Sequence, residues 1–212
     1  MTISAVLLSG GQGTRFGAPK HIASLAGKPL ALHSYAHLLH SPLISELIVV
    51  CHESYRPLFP EAKWAPPGER RQDSLASGFT HATGEYILVH DAARPLFDPA
   101  HLEALIEAGK NYGAATLATP VKPTIKQADH NHMVMRTLDR SSLFEIQTPQ
   151  ILRRDLLVKG FAEAARTGAT VTDDVSLAEL IGHPVKLVMG SYRNLKVTTP
   201  EDLIIAEALV QV

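Results

Sequence analysis

Short apolar runs alternate along this chain with segments of helical periodicity, and this alternation constrains the fold more than any other feature. Six runs predict strands, at residues 3–8, 47–51, 86–90, 114–119, 185–189 and 195–198. Helical patterns occupy residues 29–40 and the stretch from Asp98 to about Ala108, and another begins at Thr199. Because buried strands separated by crossover helices are typical of a parallel sheet, the sequence predicts an α/β protein.

Two of these helices begin with the same local signal. Asp98 and Thr199 are residue types that cap helix N-termini, and each precedes a proline, whose fixed φ suits the first helical turn. The helix at residues 29–40 is expected to end before Ser41 and Pro42.

A stretch at about residues 120–140 interrupts the alternation. It predicts a β-hairpin arm with strands at residues 124–126 and 133–135 and a turn at residues 129–132. Because an isolated hairpin is only marginally stable, we expect it to pack against a partner, and a second copy of the chain is the simplest one. No repeat or linker divides the rest, so we expect a single domain over residues 1–212 with the arm as an insertion.

The charge balance excludes one broad class of function. The 212 residues include 20 Lys and Arg against 21 Asp and Glu, a net charge of -1, whereas duplex nucleic-acid binders usually carry a basic excess. No apolar stretch approaches the roughly 20 residues of a membrane span, and the single Cys51 cannot form an internal disulfide. We therefore expect a cytoplasmic protein without a nucleic-acid or membrane partner, in which a few placed cations hold any anionic ligand.

The first predicted strand runs directly into a glycine-rich loop. Residues 9–20 read Ser-Gly-Gly-Gln-Gly-Thr-Arg-Phe-Gly-Ala-Pro-Lys, and such glycines expose backbone N–H groups to close approach by a phosphate chain. The spacing fits neither the dinucleotide fingerprint nor the P-loop. Arg15 and Lys20 add two cations that suit the charge of a triphosphate under attack at phosphorus. The alternative is a loop whose glycines only turn the chain.

A second candidate site follows the predicted strand at residues 86–90. The segment His-Asp-Ala-Ala-Arg-Pro at residues 90–95 begins at the carboxyl end of that strand, where open α/β sheets bind ligands. A lone carboxylate at Asp91 suits Mg²⁺, which takes one or two protein carboxylates and completes its shell with water and phosphate oxygens; a turn cap is the alternative. Arg94 is placed for a second phosphate. Arg140 and Lys196 are, by spacing alone, typical of surface charges.

Taken together, these segments resemble the 2-C-methyl-D-erythritol 4-phosphate cytidylyltransferases of non-mevalonate isoprenoid synthesis. The resemblance covers the whole chain in order and is most specific at residues 90–95 and at Thr-Leu-Asp-Arg, residues 137–140. It implies a Rossmann-like, GT-A-like nucleotidyltransferase fold, which is a three-layer α/β sandwich with a mainly parallel mixed sheet and a protruding β-hairpin dimerisation arm. It also implies a homodimer.

The resemblance assigns roles to individual residues. The catalytic set would be Arg15, Lys20, Arg140 and Lys196, and Asp91 would bind Mg²⁺. CTP would be bound by Ser9, Gly10, Gly11, Gly13, Gly68, Glu69, Ser74, Asp91 and Ala92. The acceptor, a polyol phosphate, would be bound by Arg94, Thr124, Arg140, Thr148, Thr172 and Lys196. Because the arm reaches the neighbouring subunit's site in this family, Thr124 and Arg140 are candidates to act in trans.

The implied reaction is in-line attack of a substrate phosphate oxygen on the α-phosphorus of CTP, with release of pyrophosphate. It needs no general base, since a phosphate monoester is already largely ionised near neutral pH. Catalysis would then depend on alignment and charge neutralisation.

Other functions stay open. Ribitol 5-phosphate is an alternative acceptor, and a catalytically silent nucleotide-binding module is a different class of protein. A third hypothesis is a metal site at His33, His37 and His40, which share one helical face. Two positions also depart from the family pattern, His21 where glutamine is usual and Ser9 where alanine is common.

Overall fold

A seven-stranded mixed sheet forms the centre of the computed structural model, which describes residues 1–11, 16–17 and 19–211. Numbered along the chain, the strands are β1 (Ile3–Leu8), β2 (Ser24–Leu25), β3 (Lys28–Pro29), β4 (Glu46–Val50), β5 (Lys63–Ala65), β6 (Tyr86–Asp91), β7 (Ala114–Pro120), β8 (Lys126–Ala128), β9 (Val134–Thr137), β10 (Phe144–Arg153) and β11 (Lys186–Met189). The order in the large sheet is β11-β7-β10-β6-β1-β4-β5. Only β10 runs antiparallel to its neighbours there.

Helices cover both faces of this sheet. They are α1 (Leu30–Leu39), α2 (Arg71–His81), α3 (Ala100–Tyr112), α4 (Arg154–Thr167), α5 (Ser176–Leu180) and α6 (Pro200–Val210). Successive residues of β1 point to opposite faces, so Leu7 packs with side chains of α1 and α3 while Val6 packs with those of α2, α4 and α5. The three-layer α/β fold with a mainly parallel sheet is therefore confirmed.

Five of the six predicted strands are present as β1, β4, β6, β7 and β11. The prediction of a strand at residues 195–198 is wrong. That segment joins no sheet in the described part of the chain, and its backbone is held where the Val197 N–H donates to the Ala93 carbonyl at 2.8 Å. Because Ala93 lies beyond the end of β6, the segment passes over the carboxyl edge of the sheet and does not lie alongside one of its strands as described.

The sequence pattern does not predict the antiparallel strand β10, because its middle reads Gln-Thr-Pro-Gln, residues 147–150, which argues against a central strand. The strand accommodates these residues with a bulge between Ile146 and Gln150 and a cis peptide bond at Thr148–Pro149. The buried Gln150 side chain accepts hydrogen bonds from the backbone N–H groups of Asp174 and Val175. The sheet tolerates this buried polar side chain because its hydrogen-bonding groups have partners there.

The helix-start predictions agree with the structure to within two residues. Thr199 caps α6 in a reciprocal capping box with Asp202. The helix α3 begins at Ala100, whose N–H donates to the Asp98 carboxylate at 2.9 Å. It runs past the expected end and stops at Gly113, which adopts φ +81°. In the described part of the chain, every helix is too short or too polar to cross a bilayer.

The arm is a two-stranded hairpin of β8 and β9, shifted by one or two residues from the predicted strands. Asp129 organises its turn by accepting the backbone N–H groups of Asn131 and Met133, each at 2.9 Å. Near the tip, Met133, Val134 and Met135 are 67%, 59% and 65% exposed. The hairpin thus presents an apolar surface that its own chain leaves uncovered.

Candidate active site

The carboxyl ends of β1 and β6 open into a cleft of about 700 Å³. These two strands are parallel neighbours, and their last residues, Leu8 and Asp91, are paired in register. The loop that follows β1 and the segment that follows β6 therefore meet at one edge of the sheet. The cleft is lined by Leu8, Gly10, Gly11, Lys20, His52, Pro67, Gly68, Glu69, Arg70, Arg71, Ser74, Asp91, Ala93 and Lys196.

Two glycines of the cleft are required by close packing. A Cβ at Gly10 would overlap the Cβ of Pro67, and a Cβ at Gly68 would overlap the Cβ of Asp73 at the start of α2. The Gly68 N–H donates to the Ser74 hydroxyl at 3.0 Å. The loops after β1 and β5 can therefore approach each other with their backbones exposed to the cleft.

Asp91 is the buried anionic centre of the cleft. Its Oδ2 accepts a hydrogen bond from Lys196 Nζ at 2.6 Å, and its Oδ1 accepts from Arg71 Nη2 at 2.8 Å. Burial alone would raise the pKa of the Asp91 carboxyl, but the charges of Arg71 and Lys196 outweigh burial and hold that pKa well below its usual range. Asp91 is therefore ionised throughout the physiological range.

Arg71, the first residue of α2, joins two buried carboxylates. Besides Asp91, its guanidinium contacts both oxygens of Asp174, at 2.5 and 2.8 Å. Burial opposes the charge, but Asp174 and Asp91 raise the pKa of Arg71 above its ordinary value. Sequence reasoning missed both Arg71 and Asp174 as site residues. The pattern of charges gave no signal for them, because Arg71 and Asp174 lie 103 positions apart.

Lys20 contacts the segment that carries Lys196. Its ammonium donates to the Val197 carbonyl at 3.2 Å, next along the chain to Lys196. The segment at residues 195–198 therefore brings the two predicted catalytic lysines together, although it is not a strand. Gly13 and Arg15, the other predicted members of the loop, lie outside the described residues.

Residues 3–212 match the family described as IspD, 2-C-methyl-D-erythritol 4-phosphate cytidylyltransferase. This chain belongs to that family. A cytidylyltransferase of this name from Chlamydia pneumoniae is 44% identical over 98% of each chain. The relative named "2-C-methyl-D-erythritol 4-phosphate cytidylyltransferase, chloroplastic" from Oryza sativa subsp. japonica is 45% identical over 99% of this chain and 74% of its own.

Solved structures of the cytidylyltransferase family share the fold. The enzyme of this name from Thermus thermophilus superposes with a TM-score of 0.87 at 30% identity and covers 100% of both chains. The 4-diphosphocytidyl-2C-methyl-D-erythritol synthase from Anaerococcus prevotii superposes with a TM-score of 0.89 at 26% identity, covering 100% of this chain and 96% of its own. The described architecture is therefore that of the cytidylyltransferase family along its whole length.

Several predicted acceptor-binding residues of the cytidylyltransferase do not line the cleft of their own chain. Thr124 and Arg140 are exposed at the base of the arm, where Arg140 Nη1 donates to the Lys122 carbonyl. Thr172 is exposed in the loop after α4. Arg94 is half-buried, and its guanidinium donates to the carbonyl of Asn194 at 2.6 Å.

Thr148 is buried beneath the cytidylyltransferase cleft. Its hydroxyl accepts the Asp91 N–H at 3.0 Å and lies 2.9 Å from His90 Nδ1. In this structure the Thr148 hydroxyl thus forms its hydrogen bonds with groups of the protein itself. Ala92 is also buried, and its N–H donates to the Leu8 carbonyl at 3.0 Å.

The two departures from the cytidylyltransferase pattern are neighbours. Ser9 and His21 line one small cavity of about 30 Å³ beside Lys20. Within the described ranges, the Ser9 hydroxyl and both ring nitrogens of His21 have no hydrogen-bond partner. Burial, helped by the charges of His52 and Lys20, lowers the pKa of His21. His21 therefore adds no charge next to Lys20 near neutral pH.

The donor set of the cytidylyltransferase cleft fits Mg²⁺ bound mainly by a nucleotide. Asp91 supplies one ionised carboxylate on the cleft wall, and Mg²⁺ obtains its other oxygens from phosphates and water. No group of three His, Cys, Asp or Glu side chains that could hold a metal occurs in the described part of the chain. The histidine hypothesis gains no support, since His33 lies within hydrogen-bond distance of the Leu25 carbonyl on β2 and His40 of the Ala36 carbonyl on α1.

Proposed function

We propose that this chain transfers the cytidylyl group of CTP to 2-C-methyl-D-erythritol 4-phosphate, giving 4-diphosphocytidyl-2-C-methyl-D-erythritol and pyrophosphate. The observation that carries this proposal is the convergence of Lys20, Lys196 and Asp91 on one cleft, at the carboxyl edge of the sheet, in a member of the cytidylyltransferase family. Cations around a single ionised carboxylate suit a triphosphate and a metal ion together.

The nucleotide would lie along the loop after β1. Backbone N–H groups at Gly10 and Gly11 can face the phosphates, and Lys20 can neutralise charge on them. Gly68, Glu69 and Ser74, on the facing wall, would hold the cytosine and ribose. The cleft, about 700 Å³ in volume, is ample for a nucleotide and a small polyol phosphate.

The chemical step is attack by one acceptor phosphate oxygen on the α-phosphorus of CTP. The new O–P bond forms as the bond to the bridging oxygen breaks, and that oxygen leaves with its electron pair as part of pyrophosphate. No side chain has to remove a proton, because the attacking oxygen is already ionised. Lys20 and Lys196 therefore act by aligning the two phosphates and offsetting their charges.

Mg²⁺ would be held by Asp91 and would supply positive charge to the triphosphate. The Asp91 carboxylate already accepts hydrogen bonds from Arg71 and Lys196. Each carboxylate oxygen can accept more than one partner, so a cation can join this cluster through a remaining lone pair.

We also propose that the working form is a homodimer joined through the arm. The exposed apolar residues Met133, Val134 and Met135 support this, as does the position of Thr124 and Arg140 away from the cleft of their own chain. A second chain could cover the apolar residues of the arm, and Thr124 and Arg140 could reach the cleft of that second chain. The buried, free Cys51 is consistent with a reducing compartment such as the cytoplasm.

The test is release of pyrophosphate from CTP and Mg²⁺ with three additions: 2-C-methyl-D-erythritol 4-phosphate, ribitol 5-phosphate, or no acceptor. We expect release only with the first. Release with ribitol 5-phosphate alone would reassign the acceptor, and CTP binding without release in any sample would make the chain a nucleotide-binding module. Omitting Mg²⁺ from the first sample tests the metal requirement.

A further inference from the structure

His90 is fully buried behind the cleft and contacts three residues that do not line it. The imidazole Nδ1 lies 2.9 Å from the Thr148 hydroxyl, and Nε2 lies 3.2 Å from the Arg94 carbonyl. The ring also packs edge-on against Phe97, with ring centroids 4.4 Å apart. None of these contacts belongs to the cleft surface itself.

The direction of each hydrogen bond follows from the donors present. The Asp91 backbone N–H can only donate, so the Thr148 hydroxyl oxygen accepts from it at 3.0 Å. The Arg94 carbonyl can only accept, so His90 Nε2 carries the ring proton and donates it at 3.2 Å. In the neutral imidazole Nδ1 then has a free lone pair and accepts the Thr148 hydroxyl proton. One neutral tautomer of His90 satisfies all three groups.

These contacts close into a ring of four residues. Thr148 continues it through its carbonyl, which accepts from Asn194 Nδ2 at 2.8 Å. Asn194 in turn offers its backbone carbonyl to Arg94 Nη1 at 2.6 Å, and the Arg94 carbonyl returns to His90. The ring ties the end of β6, the middle of β10 and the segment after β11, three parts of the chain that are distant in sequence.

Both members of the ion pair between Asp91 and Lys196 are connected to this ring of four residues. Asp91 is attached through its backbone N–H, and Lys196 follows Asn194 by two residues and reaches back to Asp91 at 2.6 Å. We propose that His90 is a positioning residue: through Thr148 it fixes Asp91, and through Arg94 and Asn194 it fixes the segment that carries Lys196. This rests on the proposed cytidylyl transfer, in which Lys196 aligns the reacting phosphates and Asp91 would hold Mg²⁺.

The first test is kinetic and uses His90→Phe, which keeps a flat ring against Phe97 and removes both hydrogen bonds. We expect kcat to fall on the order of 10- to 100-fold, as small misplacements of reacting groups do, with the KM for CTP nearly unchanged. His90→Asn retains an acceptor for Thr148 and should recover part of the loss. His33→Phe, in a histidine that also contacts a carbonyl but lies outside the ring, should keep the kcat of the unaltered protein.

A double-mutant cycle shows whether the effect passes through the ring. Asn194→Ala removes the hydrogen bond from Asn194 to the Thr148 carbonyl and so breaks the same ring of four residues at a different contact. The kcat losses of His90→Phe and Asn194→Ala should therefore overlap rather than add. Should His90→Phe not fold, Asn194→Ala alone is expected to show the same fall in kcat at unchanged KM. Additive losses, or folded variants with kcat within about twofold of the unaltered protein, would refute the proposal.

A crystal structure of His90→Phe or Asn194→Ala gives a readout that does not depend on activity. We expect the contact between Lys196 Nζ and Asp91 Oδ2 to be lost while β1 and the start of the glycine loop stay in place. Retention of that contact would overturn the positioning role, even if the protein proved to use another acceptor. Failure of the cytidylyl-transfer proposal would instead show as absence of pyrophosphate release by the unaltered protein.

Discussion

Lys196 Nζ lies 2.6 Å from Asp91 Oδ2, although the two residues are 105 positions apart in the chain. Arg71 holds the other oxygen of the same carboxylate. The charge of Asp91 is therefore shared between two cations in the free protein. Any phosphate or metal ion that enters the cleft must join or rearrange this group. We therefore expect substitution of Asp91 to strengthen the binding of phosphates and to lower turnover.

Asp91→Asn should separate those two effects. Loss of the carboxylate leaves Arg71 and Lys196 with excess positive charge, so CTP without Mg²⁺ should bind several-fold more tightly. Turnover with Mg²⁺ should fall by on the order of 10² or more, because the ionised ligand is gone. Calorimetry and pyrophosphate release measure the two quantities. Asp155→Asn, in a partly exposed carboxylate on α4, is the matched control and should change neither; equal weakening of binding and turnover would contradict the assignment.

Lys20→Met should lower kcat by on the order of 10² and leave the fold intact, as removal of one transition-state donor does. The methionine keeps most of the length of the side chain and removes its charge. Steady-state kinetics and circular dichroism are the measurements. Lys28→Met, an exposed lysine on β3, serves as the control. Near-normal turnover of Lys20→Met would remove Lys20 from the catalytic set.

Mixed dimers can show whether Arg140 acts on the neighbouring subunit's cleft. Arg140→Ala and Lys20→Met, each inactive alone, should regain about a quarter of normal activity when mixed, because half the dimers then contain one intact site of two. Lys20→Met mixed with Lys196→Met is the control, since both defects lie in the same chain's cleft and every site stays defective. Heterodimer formation without recovery in the first mixture would contradict a site shared between subunits.

Glu46 should make folding stability depend on pH far from the cleft. Burial opposes ionisation, but Lys63, Ser4 and Thr83 bind the carboxylate and lower the pKa of Glu46 to about 2. Because this pKa lies below that of the unfolded chain, the stabilisation is present above about pH 5 and is lost as pH falls toward 2. Glu46→Gln should cost about 2 kcal/mol near neutral pH and less in acid.

Urea unfolding from about pH 6 to about pH 3 measures this difference directly. Glu103→Gln, at an exposed position on α3, is the control and should show little change. A Glu46→Gln deficit that stayed constant over the whole range would mean that the carboxylate is not the origin of the stabilisation.

Local pattern was enough to predict much of the fold and the centre of the site. Apolar runs and helix caps depend on neighbouring residues, so β1, β6 and the start of α6 could be read from the chain. The same holds for Asp91, which ends a buried strand. By contrast, β10 carries polar residues and a proline in its centre, and its place depends on a bulge and on buried hydrogen bonds that no local pattern encodes.

The sequence by itself determined an α/β chain of near-zero net charge, with a glycine loop after its first strand and an acidic residue after a later one. Only the tertiary structure decided which charges meet. Arg71 bridges Asp91 and Asp174, and Lys196 completes the group. The physical reason is that periodicity reports which face of an element is buried, whereas the neighbours of a buried charge depend on the order in which strands assemble into the sheet.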